Sequence, residues 1–386
     1  MRPDFRLRPV LTIALLMATA SVAVAQVPAD TTPGSQVLRG GAFAGSALES
    51  RLRTLQLLRA IPAHQWSIRQ LGPRELERLT LADSVALPAS LSRPWCAQQC
   101  DLRGGRSAGV SLLPAEASVW FNSTHPFGIN DGPVWAGRGV TTAVSAAVSA
   151  HAGPLSLVLA PIATWSQNAA FALEPNGQTD ELRFADAFFF DLIDHPQRFG
   201  DAPVTRIDPG ESTLRLDLLG AAAGMSTASQ WWGPMSIYPF LLSNNAGGFP
   251  HVFAGTSRPA NIGIGRLHAR VIYGDLAQSA YSIMPDAGAR RFASGVVAVF
   301  MPRGLPGLEV GGGRFYHSVW PSTGLTAADF RKPFEGLLKE SSVGRNPDGS
   351  LLDDPHNQLA SVFARLVLPN SGVEVYGEFG REDHNA

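Results

Sequence analysis

The chain has 386 residues, of which 16 % are charged and 45 % hydrophobic, and its formal net charge is −1. So small a net charge excludes the basic surface that nucleic-acid binding demands. A charged fraction well under the roughly 25 % of an ordinary soluble domain fits a wall with one face turned to lipid.

The chain opens on Arg2, Arg6 and Arg8, then an apolar run from Val10 to Val24, then Ala23-Val24-Ala25 before Gln26. These are the three parts of a cleavable signal peptide, and the run is short for a span of about 20 apolar residues. No Cys follows the cleavage site, which argues against a lipid anchor. The expected division is a signal peptide over 1–25, a linker and helical region over 26–105, and a barrel over 106–386. Residues 26–45 read as a flexible segment. Ser46-Ala47-Leu48-Glu49 resembles a capping box, and Leu48, Leu52, Leu55, Leu58 and Ile61 recur at the period of one helix face until Pro62. A second helix is expected from Pro73 to Pro88, with Leu76, Leu79 and Val85 buried and Glu75, Glu77 and Arg78 exposed. This unit reads first as a periplasmic linker bundle and second as a plug at the barrel mouth. Cys96 and Cys100 are the only cysteines; in an oxidising compartment they pair locally, and no metal ligands stand near them.

From about residue 106 the pattern changes to period two. Leu214, Leu216 and Leu218 alternate with Thr213, Arg215 and Asp217. Leu267, Ala269, Val271 and Tyr273 face away from Arg266, His268, Arg270 and Ile272, and Val375 and Phe379 oppose Glu374, Tyr376 and Glu378. Successive side chains of a strand point to opposite faces, so each segment has one apolar and one largely polar surface. A soluble sandwich shows the same alternation with the apolar face inward. Export, low charge and the number of such strands favour apolar-out and polar-in. Residues 302–307 separate Gly295–Met301 from Leu308–Phe315 as a hairpin turn would, while 174–181, 194–211 and 318–357 read as loops.

Motifs of hydrolases, nucleotide-binding loops and metalloproteases are missing. Asp353-Asp354 with His356, and Glu382-Asp383-His384, read as solvated loop and strand ends. No enzymatic activity, cofactor or metal is expected. Gln230-Trp231-Trp232-Gly233-Pro234 and Leu241 to Pro250 are more informative. The two Trp suit either an interfacial girdle or a platform for sugar rings, with Asn244 and Asn245 offering donors and acceptors to hydroxyls.

The run from Gln230 to Pro250 resembles the signature of the capsule assembly protein Wzi family. Asp131-Gly132-Pro133 with Trp135 and Gly137-Arg138-Gly139 is similar to that family's early strand. Pro161 with Gln167-Asn168 and Phe171, Asn357-Gln358 to Glu378, and Trp66 to Glu75 are similar to further segments. The resemblance implies an all-β transmembrane antiparallel barrel in the outer membrane with a small N-terminal helical region, monomeric, binding capsular or extracellular polysaccharide. The alternative is a porin-like channel for small solutes; an envelope enzyme has the least support. Residues 106–386 have room for about a dozen to fourteen tilted strands, fewer than the family implies. The barrel is therefore expected to be incomplete at the C-terminus, the alternative being a genuinely smaller barrel.

Overall fold

The computed structural model describes residues 41–59, 61–76, 108–189, 194–282, 290–335, 357–368 and 370–382. The expected signal peptide, most of the linker, Cys96, Cys100, Leu79, Val85, Asp353, Asp354, His356, Asp383 and His384 lie outside them.

Helix α1 (Ala47–Leu57) starts where the sequence places it, because the Ser46 hydroxyl accepts from the Glu49 N–H. Its partner bond differs from a full capping box: the Glu49 carboxylate accepts from Gly45 N rather than from Ser46 N. Leu48, Leu52, Leu55 and Ile61 form one cluster with Ala42, Trp66, Leu71 and Leu76. Leu58, expected on the same face, is 48 % exposed because the helix ends one residue before it. Helix α2 (Pro73–Leu76) keeps a single described turn, and Glu75 on it is fully buried rather than exposed. Between the helices lies the two-residue strand β1 (Ile68–Arg69).

The remainder is almost entirely an antiparallel sheet of fourteen strands. Its members are β2 (Ala108–Asn122), β3 (Gly139–Ala152), β4 (Leu155–Leu159), β5 (Ile162–Ser166), β6 (Val204–Asp208), β7 (Thr213–Leu218), β8 (Ala221–Ser226), β10 (His251–Thr256), β11 (Ala260–Asn261), β12 (Gly265–Ala277), β13 (Arg290–Pro302), β14 (Leu308–Val319), β15 (Asn357–Leu368) and β16 (Val373–Glu382). Strand β9 (Trp231–Trp232) leaves this sheet and pairs with β1. β4 and β5 pair with different stretches of β3 and flank Pro161, so together they make one wall strand interrupted where a proline cannot donate to the ladder. β6 and β7 run beside them in the same way. The loop expected at 194–211 is thus partly wall. Among the described residues β2 and β16 do not pair, so the sheet is open between them.

The faces of the sheet settle which way the alternation points. Along β7, Thr213, Arg215 and Asp217 are buried whereas Leu214, Leu216 and Leu218 are 42 %, 42 % and 55 % exposed. Met225, Val252, Val310, Val362, Val375 and Phe379 are exposed likewise. On β7 the charged side is the inner one and the aliphatic side is bare; on β13 to β15 the inner face also carries Val297, Val299, Phe315 and Phe363, which form an apolar core with Ile68 and Trp232. Helix α3 (Ala327–Arg331) covers part of the outer face, where the Tyr273 hydroxyl donates to the Phe330 carbonyl and Phe330 packs on Phe292. No helix is long and apolar enough to cross a membrane among the described residues.

Candidate functional site

Residues 227–250 leave β8 and fold back across the inner face before β10 begins. Their anchor is the β1–β9 ribbon, with Ile68 opposite Trp232 and Arg69 opposite Trp231. The Trp231 indole N–H donates to the Met235 carbonyl, and the Arg69 guanidinium lies 4.5 Å from its ring centroid. Trp232 meets Phe315 edge-on and lies against Gly295, where a Cβ would come within 2.7 Å of the indole. The rings are 1 % and 0 % exposed. The structure thus puts the pair neither at a lipid interface nor on an open sugar platform: both indoles key the inward loop to the N-terminal unit.

Charges fasten the same unit to the wall. Arg365 pairs with Glu309 and also with Glu374 at 2.7 Å, and Glu374 reaches Arg53 of α1 at 2.5 Å. The second oxygen of Glu309 accepts from Trp66 N and the Ser67 hydroxyl. Arg270 donates to the Gln230 side chain and the Gln70 carbonyl, so wall, loop and N-terminal unit meet on one guanidinium. Arg215 grips Asp217 through two nitrogens, each at 2.9 Å. Glu75 accepts from Gly72 N and lies 3.4 Å from both His64 and His268. Burial works against its charged form, but His268, His64 and Arg215 outweigh that and hold the carboxyl well below the usual carboxylate range. Glu309 and Arg365 escape notice in the sequence. The signal present there was a charge set among the apolar and glycine residues of a strand, as Glu309 is between Leu308 and Val310 and Arg365 between Ala364 and Leu366.

The long connections, 123–138, 167–203, 227–250 and 320–356, all leave one end of the sheet, and the short turns the other. At the long-loop end Asn130 and Asn244–Asn245 join two loops. Asn130 N donates to the Asn245 side-chain oxygen, Asn244 donates to the Asn130 carbonyl, and Gly132 N donates to the Asn244 carbonyl. Asn244 is buried and structural, bonded also to Ala44 of the N-terminal unit. Asn245 is exposed, and its side-chain nitrogen donates to nothing among the described residues. Phe127 is exposed in the same loop cluster. Burial raises the neighbouring Asp131 carboxyl. Among the described residues no cluster of His, Cys, Asp and Glu could hold a metal.

No protein-family model and no curated protein matches the chain. Among solved structures it is similar to Wzi, an outer-membrane protein involved in group 1 capsule assembly in Escherichia coli and a carbohydrate-binding β-barrel. The TM-score is 0.54 at 13 % identity, covering 89 % of this chain and 64 % of that one. At that identity the likeness establishes the fold.

Proposed function

We propose that this chain is exported, forms the wall of an outer-membrane β-barrel and holds extracellular polysaccharide at the cell surface through its long loops, without catalysing a reaction. One observation carries the reading: aliphatic side chains stand bare on the outer face of the wall while Arg215, Asp217, Arg270, Glu309 and Arg365 are buried on the inner one, as lipid requires and water does not. In such barrels short turns face the periplasm and long loops the exterior, which puts Asn130, Asn245 and Phe127 on the outer side. The N-terminal unit and residues 227–250 then fill the lumen as a plug, an arrangement that favours an anchor over a porin-like channel. Likeness to a carbohydrate-binding barrel supports a polysaccharide ligand. Asn245 and Phe127 are assigned to contact it, with Trp231, Trp232 and Asn244 holding that surface from beneath.

Titration of the detergent-solubilised protein with capsular polysaccharide tests this. Binding is expected, and a variant carrying N245A and F127A is expected to lose it while keeping its heat-modifiable mobility. Absence of binding, together with single-channel conductance in a planar bilayer, would favour the porin reading instead.

A further inference from the structure

The short-turn end of the sheet has a charge pattern that the long loops do not share. Its turns, 153–154, 219–220, 257–264, 303–307 and 370–372, contain Arg258 and Arg303 and no Asp or Glu. By contrast the described part of 167–203 carries Glu174, Asp180, Glu181, Asp186, Asp194 and Asp201 against Arg183 and Arg198. Clefts lined by one sign of charge concentrate ligands of the other.

Two of these turns are tied together, since Arg303 N donates to the Ile264 carbonyl at 3.0 Å. Between them lies a cavity of about 560 Å³ lined by Arg258, Arg266, Arg303, Asn261, Pro302 and Pro306 among others, and by no acidic residue. Arg258 and Arg303 are exposed and make no ion pair or side-chain hydrogen bond among the described residues. Arg266 is half-buried and uses one nitrogen to donate to the Ala63 carbonyl of the N-terminal unit at 3.2 Å. The Asn261 side-chain oxygen accepts from Gly263 N, which turns its amide nitrogen free for a further acceptor. Three guanidinium groups thus line one cavity with no carboxylate in its lining, and guanidinium binds planar anions in bidentate fashion.

We infer that this mouth is a second binding site, for an anionic oligosaccharide whose carboxylates are held by Arg258, Arg303 and Arg266. Position favours a glycan over a lipid headgroup. Arg266 projects from the inner face, as its bond to the N-terminal unit shows, whereas an acyl chain needs the outer one. Pro302 and Pro306 add carbon surface for sugar rings, and the Asn261 amide suits a hydroxyl or ring oxygen. The site stands apart from the long loops, so it holds or fails independently of the function proposed for them. Because Arg266 also holds the N-terminal unit, an occupied site and a seated plug share one side chain.

Calorimetric titration of the full chain in detergent with hexagalacturonate, and with neutral maltohexaose as its counterpart, is the test. Hexagalacturonate is expected to bind more weakly as salt rises, and maltohexaose is expected not to bind at this site. The R258Q/R303Q variant is expected to weaken hexagalacturonate at least about tenfold. Phenylglyoxal footprinting of the unmodified protein, read by mass spectrometry, needs no variant to fold: hexagalacturonate should shield Arg258 and Arg303. Equal binding in R258Q/R303Q, or no shielding, would overturn the site. Shielding by dihexanoyl phosphatidylglycerol but not by hexagalacturonate would overturn its assignment to a glycan.

Discussion

Glu75 is fully buried, ringed by His64, His268 and Arg215, and its charge is what those groups are arranged to hold. Its carboxyl is depressed in the folded state, so it stabilises the protein above the ordinary carboxylate pKa of about 4.3 and ceases to do so as pH falls toward the folded value. Urea unfolding of E75Q at neutral pH should therefore show a loss of about 2–3 kcal/mol that narrows below about pH 4; a gap that widened in acid would reverse the sign. Trp232 supports a second residue-level expectation. Gly295→Val places atoms where the indole lies, and overpacking of this kind costs about 1–3 kcal/mol, read as a red shift of Trp emission when the ring is displaced. Neither role was legible locally. The helical period put Glu75 on a solvent face with Glu77 and Arg78, and two of the partners that surround it, Arg215 and His268, come from two strands far along the chain. The Trp pair was legible as significant, but whether its rings faced lipid, sugar or protein depended on β1, a strand of two residues.

At the scale of elements, the wall strands were legible because alternation is a local signal, and β7, β12 and β16 follow the parities read from the sequence. β6 was not, because Val204–Asp208 lies between Pro-rich stretches and carries its own charges. The helical unit was recognised, but its seat was not. A plug is defined by contacts with the wall, and those are the Glu309–Arg365–Glu374–Arg53 chain. Removing one partner leaves the others buried and uncompensated, at about 3–5 kcal/mol. R365M alone should therefore speed proteolysis of residues 41–76 in the otherwise folded protein. Combining R365M with E309L should restore much of the protection, since a buried pair replaced by apolar groups is often near neutral. Equal protection in wild type and R365M would mean that the ribbon β1–β9 and the remaining bonds to the wall hold the unit without this chain of charges.

For the whole molecule, one inversion organises everything else: the polar interior receives the N-terminal unit and the inward loop, while aliphatic side chains stand bare outside. A lumen so occupied should be nearly silent in a planar bilayer, and deletion of residues 41–76 should raise its conductance. The direction of the inversion decides whether there is a membrane barrel at all, and it is directly measurable. Spin labels placed singly at residues 213–218 of β7, in a background lacking Cys96 and Cys100 and reconstituted in lipid vesicles, report contact with lipid through relaxation by oxygen. High oxygen access at Leu214, Leu216 and Leu218, with low access at Thr213, Arg215 and Asp217, is the predicted result. Uniform access along the strand, or the opposite parity, would contradict a lipid-facing wall and the surface function built upon it.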